Sequence, residues 1–328
     1  MTGDRRDRTT EEWAELLEPL ARRALQAYDV DVSEISLLTN DWNCVFRLDL
    51  ADGSRRVLRV SLPNRRTREE VEGEMAWLAV LADGPVPVPV PVRTRGGDLT
   101  VDASVEGVPE PRTCAMFGWI EGVRLAEAMT PVNVGALGEM TARLHRQAAS
   151  FPAPPGMKLW DSPYPYLEPE IMFDDDVAPI VEAAGRDPFA RARVATMAAI
   201  ARLGDTEAPR MIHADLHEDN AFIRPDGSLA VLDFDDSLVG WPVQDLGVTV
   251  WALAGHDAFE LLERALREGY ERVAPWPERE PGEVRVFAAS RSLMMANYVL
   301  QDHDPVYRAK APEMVREDAE TIERLLQA

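Results

Sequence analysis

The sequence predicts an α+β protein of two lobes, a small, mostly antiparallel sheet with one helix followed by a mainly helical part. Three observations carry this reading. Strand-like runs separated by turn residues crowd the first 120 positions, helix-period apolar stripes dominate after Gly122, and 328 residues exceed one minimal core. The lobes are expected to span 1–120 and 121–328.

An opening helix is expected over 10–28, where Thr9 and Glu12 have capping-box spacing and Trp13, Leu16, Leu17 and Leu20 form one stripe. Residues 35–38, 44–50 and 56–60 read as strands, separated by Thr39-Asn40-Asp41 and by the Asp52-Gly53 hairpin turn. A second helix opens at a Thr67/Glu70 capping box and stops at Gly84-Pro85. Residues 86–92 alternate valine with proline, which suits an extended edge segment and not a central strand. Residues 99–101 and 113–120 read as further strands. Helices are then expected over 134–149, 188–203, 246–254, 258–273, 283–300 and 312–327, interrupted by one hairpin at 221–232.

Apolar residues make up 46% and charged residues 28%, the balance of a globular protein. The one long apolar-looking stretch, 77–92, is broken by Asp83, Gly84 and four prolines, so no membrane association is expected. Residues 1–8 are charged and lack the apolar run of a secretory signal, and Cys44 and Cys114 read as reduced thiols; the expected location is cytoplasmic. A formal charge of −22 argues against a nucleic-acid partner and favours a cationic one.

The chemistry concentrates in 212–236. Two short apolar runs, 221–224 and 229–232, are joined by the turn Pro225-Asp226-Gly227-Ser228, so Asn220 and Asp233 should meet at one end of an antiparallel hairpin. Asp215, in the preceding loop, can face the same spot. Two carboxylates and an amide oxygen are hard ligands of the kind Mg²⁺ takes, with room left for water and phosphate oxygens. His213 and His217 stand four apart, but the chain lacks the H-E-x-x-H arrangement of a zinc hydrolase.

His213-Ala214-Asp215-Leu216-His217-Glu218-Asp219-Asn220, followed by Val231-Leu232-Asp233-Phe234-Asp235, resembles the catalytic loop and metal motif of the aminoglycoside phosphotransferase and choline kinase-like family, relatives of protein kinases. The resemblance implies a protein-kinase-like fold and an ATP- or GTP-dependent, Mg²⁺-dependent O-phosphotransferase. It assigns Asp215 to orienting the acceptor hydroxyl or taking its proton, and Asn220 and Asp233 to holding the metal. The family commonly has glycine where this chain has Ala214, and the extra methyl is expected to be tolerated. His213 is read as a brace for the loop backbone, and Asp245 as another brace, or as the cap of a helix starting at Leu246.

Upstream, the resemblance puts a phosphate-holding basic residue at Arg59, since no lysine precedes Lys158, and pairs it with a glutamate on the next helix. Of the four candidates there, Glu74 lies nearest the stripe of Val71, Met75, Leu78 and Ala82. The polar loop around Asn43 stands where protein kinases have a glycine-rich loop. Phe117, Trp119 and Ile120 resemble the hinge whose backbone reads adenine. Leu144-His145, the stretch from Val243 to Gly247 and Glu268-Gly269-Tyr270 extend the resemblance over most of the chain.

The acceptor is expected to be a small, amine-bearing molecule such as an aminoglycoside, amino sugar or amino alcohol, with antibiotic resistance as one setting. Residues 151–176 are the expected acceptor-facing insert, holding Trp160, Tyr164, Tyr166, Phe173, Glu168, Glu170 and Asp174-Asp175-Asp176. The alternatives are a Ser/Thr protein kinase resembling the bacterial stress-response kinase, and a catalytically silent nucleotide-binding protein.

Overall fold

A computed structural model describes residues 10–40, 43–61, 66–108, 110–166, 169–301 and 305–327, without the side chains of 10–14 and 305–308. Thr9, Glu12, Trp13, Asp41 and Glu168, named above, lie outside the described residues and side chains. The chain divides into two compact units, Met1–Glu121 with Pro154–Met157, and Gly122–Ala153 with Lys158–Ala328.

The first unit opens with α1 (Thr10–Leu25). The strands that follow are β1 (Val32–Asn40), β2 (Asn43–Leu50), β3 (Arg55–Ser61), β4 (Pro91–Val92), β5 (Val101–Ala103) and β6 (Arg112–Gly118). Buried Leu17, Leu20, Ala21 and Ala24 of α1 join Cys44, Phe46 and Leu48, alternate residues of β2, in one core cluster. The sheet is antiparallel throughout, in the order β1-β2-β3-β6-β4, with β5 also beside β6. The β2-β3 turn places Gly53 at φ 82°, which glycine adopts without the Cβ penalty of other residues. The valine-proline run pairs with β6 at Pro91 and Val92, and the Gly118 N–H donates to the Val90 carbonyl at 2.8 Å; its prolines can only accept in such a ladder, which suits an edge. Between β3 and β4, α2 (Arg68–Ala82) starts on a reciprocal capping box, Thr67 Oγ1 taking the Glu70 N–H and Glu70 Oε2 the Thr67 N–H.

The second unit contains β7 (Val123–Arg124), α3 (Pro131–Ala148), α4 (Ala178–Ala184), α5 (Arg186–Thr206), β8 (Arg210–Ile212), β9 (Ala221–Ile223), β10 (Leu229–Val231), β11 (Leu238–Gly240), α6 (Pro242–Leu253), α7 (Phe259–Glu271), α8 (Glu283–Gln301) and α9 (Pro305–Gln327). Two small antiparallel sheets, β10-β9-β7 and β11-β8, flank the loop that follows β8. Helices α3 and α7 touch backbone to backbone, and a Cβ on Gly269 would fall 1.8 Å from the Gly135 carbonyl oxygen. That contact lays Tyr270 against α3.

Two expected helix starts shift furthest. Helix α6 begins at Pro242, four residues before the expected Leu246, because proline at the first helical position forfeits only an N–H that has no partner there; the Trp241 N–H is taken by Gln244 Oε1 at 2.9 Å. Asp245 therefore lies inside the helix and caps nothing. Helix α9 starts at Pro305 instead of 312 and runs through Pro312. Among the described residues no helix is long and apolar enough to cross a membrane, and Cys44 and Cys114 are buried free thiols.

On α9, Asp318 packs against α8 with its carboxyl bonded to Ser292; burial pushes that carboxyl up to about 8. An unfolded aspartate titrates near ~3.9, so between those values the folded state holds a proton that the unfolded state lacks, and stability falls as pH rises through the interval. Asp318→Asn should therefore melt higher than the parent at pH 8.5 and converge with it toward pH 4. Thermal melts across that range check this, and an equal pH slope in both proteins would remove Asp318 as the cause.

Candidate active site

In the first unit, Arg59 on β3 and Glu74 on α2 form a two-pronged ion pair, Nη1 to Oε1 at 2.8 Å and Nη2 to Oε2 at 2.6 Å. Both are buried, at 5% and 1% exposure, so the pair is a fixed structural unit and not a solvated surface contact. The other three glutamates are placed otherwise, Glu69 and Glu72 exposed and Glu70 in the helix cap. The Arg59 guanidinium lies 5.3 Å from the Phe117 ring centre. Phe117 is in β6 opposite Val57, whereas Trp119 and Ile120 follow the last strand residue. Among the described residues neither Trp119 nor Ile120 exchanges a backbone hydrogen bond, so their N–H and C=O groups suit an adenine edge.

In the second unit the loop after β8 is held by one carboxylate. Asp245 is buried in α6, and its Oδ1 accepts the Ala214 N–H at 2.6 Å while Oδ2 accepts the His213 N–H at 3.0 Å. His145 of α3 adds a third donor, Nε2 to Oδ2 at 2.9 Å, and its Nδ1 meets the Tyr270 hydroxyl at 3.0 Å. Burial alone would raise the Asp245 carboxyl; the hydrogen bond and charge of His145, with His213, outweigh it and hold it low. The two backbone bonds force Ala214 to φ 64°, in the left-handed region where any Cβ costs about 1 kcal/mol. The methyl expected to be tolerated is accommodated at that cost.

His213 is fully buried and braces the loop from within, Nε2 bonding the Leu232 carbonyl at 2.8 Å and Nδ1 accepting the Asp215 N–H at 3.3 Å. Both ring nitrogens are thus used, which leaves His213 no lone pair for a metal.

Asp215 Oδ1 accepts from Arg291 Nη2 at 2.5 Å, and Oδ2 accepts from Asn220 Nδ2 at 3.1 Å, with His217 Nε2 at 3.6 Å. Burial pushes this carboxyl up, but the Arg291 guanidinium and the two histidines pull it further down, so it titrates below the ordinary carboxylate range. Asn220 Nδ2 also bonds the Asp215 carbonyl at 2.8 Å. With its amide nitrogen spent twice, Asn220 has Oδ1 left to offer a cation. The Leu232 N–H donates to the Asn220 carbonyl at 2.8 Å, which carries the β9-β10 pairing to the loop and sets Asp233 just beyond it. Asp233 has a left-handed φ of 57° and an exposed side chain. Among the described residues no three His, Cys, Asp or Glu side chains converge on a metal position. An amide oxygen and a carboxylate are hard ligands of the kind Mg²⁺ takes together with water and phosphate.

Arg291 was not read from the sequence. The signal is there nonetheless, because it is the only charged residue between Val286 and Leu300, and a charge inside so apolar a helix needs a buried partner. Of the expected acceptor-facing insert, two aromatic residues turn inward. Trp160 and Tyr164 are buried, Trp160 packing on Ile212, Ala214, Leu238 and Val248 beneath the loop. Glu170 is held by Tyr164 and Arg193, and Asp174, Asp175 and Asp176 are exposed. The aromatic groups support the loop from below, and Tyr166 bonds the Asp236 carbonyl.

Residues 34–284 match the phosphotransferase enzyme family. A Deinococcus radiodurans protein of uncharacterized function is 30% identical over 287 residues, covering 84% of this chain and 79% of its own. A homoserine kinase from Azorhizobium caulinodans is 29% identical over 183 residues, 55% of this chain and 54% of the kinase. The solved structure of a microcompartment-associated aminopropanol kinase matches with a TM-score of 0.75 at 23% identity, covering 94% of this chain and 98% of that one, so the two share a kinase-like fold.

Proposed function

The chain belongs to the phosphotransferase enzyme family, and from that premise we propose that it transfers the γ-phosphate of ATP to a hydroxyl of a small, amine-bearing molecule in the cytoplasm. The observation that carries the reading is the loop in which Asp215 and Asn220 are bonded to each other and Asp233 follows on the paired strand.

Phosphoryl transfer through a loose transition state asks for positioning more than for a strong base. Asp215 accepts the hydrogen bond of the acceptor hydroxyl. As the oxygen bonds to the γ-phosphorus and the bond to the β-phosphate oxygen breaks, the hydroxyl proton passes to Asp215. A carboxyl held low suits this role, since it stays ionised at neutral pH until the proton is released to it. Asn220 through Oδ1 and Asp233 through its carboxylate would hold Mg²⁺. Bound there, the ion would supply positive charge against the charge that develops on the phosphates. Arg59, kept in place by Glu74, holds the α- and β-phosphates, and the backbone of Trp119 and Ile120 reads adenine; Phe117, whose backbone is paired within the sheet, can contribute its ring alone. The small-molecule acceptor is supported by the similarity to kinases named for aminopropanol and homoserine, and its amine by the net charge of −22.

Incubation with Mg²⁺ and ATP labelled at the γ-phosphate, against amino alcohols, hydroxy amino acids, amino sugars, aminoglycosides and protein substrates, tests this. Label should appear on a small amine-bearing alcohol. Label on protein serine or threonine alone would make the chain a protein kinase. Nucleotide binding without turnover on any acceptor would make it catalytically silent.

A further inference from the structure

The ion pair between Arg291 and Asp215 has no counterpart in the roles assigned above. Arg291 is 8% exposed and enters from α8, 76 residues away in sequence. Its guanidinium lies 5.5 Å from the Trp251 ring centre, on α6. The Trp251 indole N–H in turn donates to Ser292 Oγ at 3.0 Å, the residue next to Arg291. Aromatic face and hydrogen bond together fix the plane of the guanidinium, so its Nη2 can meet Asp215 in few orientations.

The carboxylate is constrained from both sides. Oδ1 is taken by Arg291, while Oδ2 is taken by Asn220 with His217 near. Each oxygen keeps further lone-pair capacity, and the rotation that would exchange the two is blocked by two different donors. An acceptor hydroxyl is then met by one fixed direction of approach.

We propose that Arg291 is a positioning residue for phosphoryl transfer, acting through Asp215 by locking the rotamer in which that carboxylate faces the acceptor. This rests on the assignment of Asp215 as the acceptor-orienting group. Arg291 touches neither nucleotide nor metal in this account, and Trp251 serves it as a backing plate.

The test is a kinetic cycle with Arg291→Met, Arg291→Lys, Asp215→Asn and the Asp215→Asn/Arg291→Met double variant, at saturating Mg-ATP with the acceptor found by the screen. Arg291→Met should lower kcat about 100-fold, the scale of a misplaced reacting group, and leave KM for Mg-ATP unchanged. Arg291→Lys should recover part of the rate, because an ammonium keeps the charge but not the planar contact. In the Asp215→Asn background the Arg291→Met change should cost less than about twofold, since the group it positions is already gone. Equal losses in both backgrounds, or a changed KM for Mg-ATP, would overturn the proposal and leave Arg291 a general structural residue. If Arg291→Met does not fold, Trp251→Leu removes the backing while keeping the charge, and the same non-additivity with Asp215→Asn is required of it. Near-parental turnover in Asp215→Asn would instead sink the assignment of Asp215, a separate failure that the single variant reveals.

Discussion

Asp215→Asn should bind Mg-ATP as the parent does and lose about 10²–10⁴ in kcat, the range that a positioned proton acceptor contributes. The amide can still take the Arg291 hydrogen bond on its oxygen. Its nitrogen then faces Asn220 Nδ2, a donor against a donor, where the carboxylate had an acceptor. The variant also leaves Arg291 without a counter-charge at 8% exposure, so a lower melting temperature accompanies the rate loss. Steady-state kinetics on the acceptor, with calorimetry of Mg-ATP binding, separate the two effects. Turnover within a few-fold of the parent would mean that Asp215 is not the orienting group.

The second large effect belongs to Arg59 and Glu74. Glu74→Ala strands a guanidinium that is 5% exposed, and breaking a buried pair from one side costs about 3–5 kcal/mol of stability. Freed from its two bonds, Arg59 can swing away from the phosphates, so kcat/KM for Mg-ATP should fall as far as it does in Arg59→Ala. The double variant should lose little more than either single one. Arg59→Lys should keep partial activity, since an ammonium can meet a phosphate but cannot bridge two carboxylate oxygens as the guanidinium does at 2.8 and 2.6 Å. Additive losses would show that phosphate binding at Arg59 does not depend on Glu74.

Much of the local structure was legible because it is written in short-range patterns. The Thr67/Glu70 box, the Asp52-Gly53 turn and the hairpin after Asn220 each involve residues a few positions apart, and each forms. Glu74 could be singled out because it follows the apolar stripe of α2, and the structure buries it against Arg59. What the pattern does not carry is which long-range partner satisfies a buried group. Arg291, from α8, meets Asp215 only through tertiary packing. The same limit applies to Trp160 and Tyr164 in residues 151–176, where aromatic and acidic residues in a proline-rich stretch look like a binding surface. Burial of Trp160 is decided by β8, β11 and α6, which the local sequence does not reveal. Helix α6 starts at Pro242 and not at the expected Leu246, because proline at the first helical position gives up no hydrogen bond.

The dependence of the loop on Asp245 also orders events in time. His145 and Asp245 are 100 residues apart, and Asp245 lies 31 and 32 residues beyond the two amides it holds, while Arg59 and Glu74 are separated by only 15. Contacts across long stretches of chain wait for the closure entropy of the intervening segment to be met. During synthesis from the N-terminus the Arg59-Glu74 pair can form as soon as β3 and α2 have left the ribosome. The loop carrying Asp215 cannot close until α6 has emerged as well, and Arg291 arrives later still. A nascent chain thus completes the Arg59-Glu74 pair first and the Asp215-Arg291 pair last.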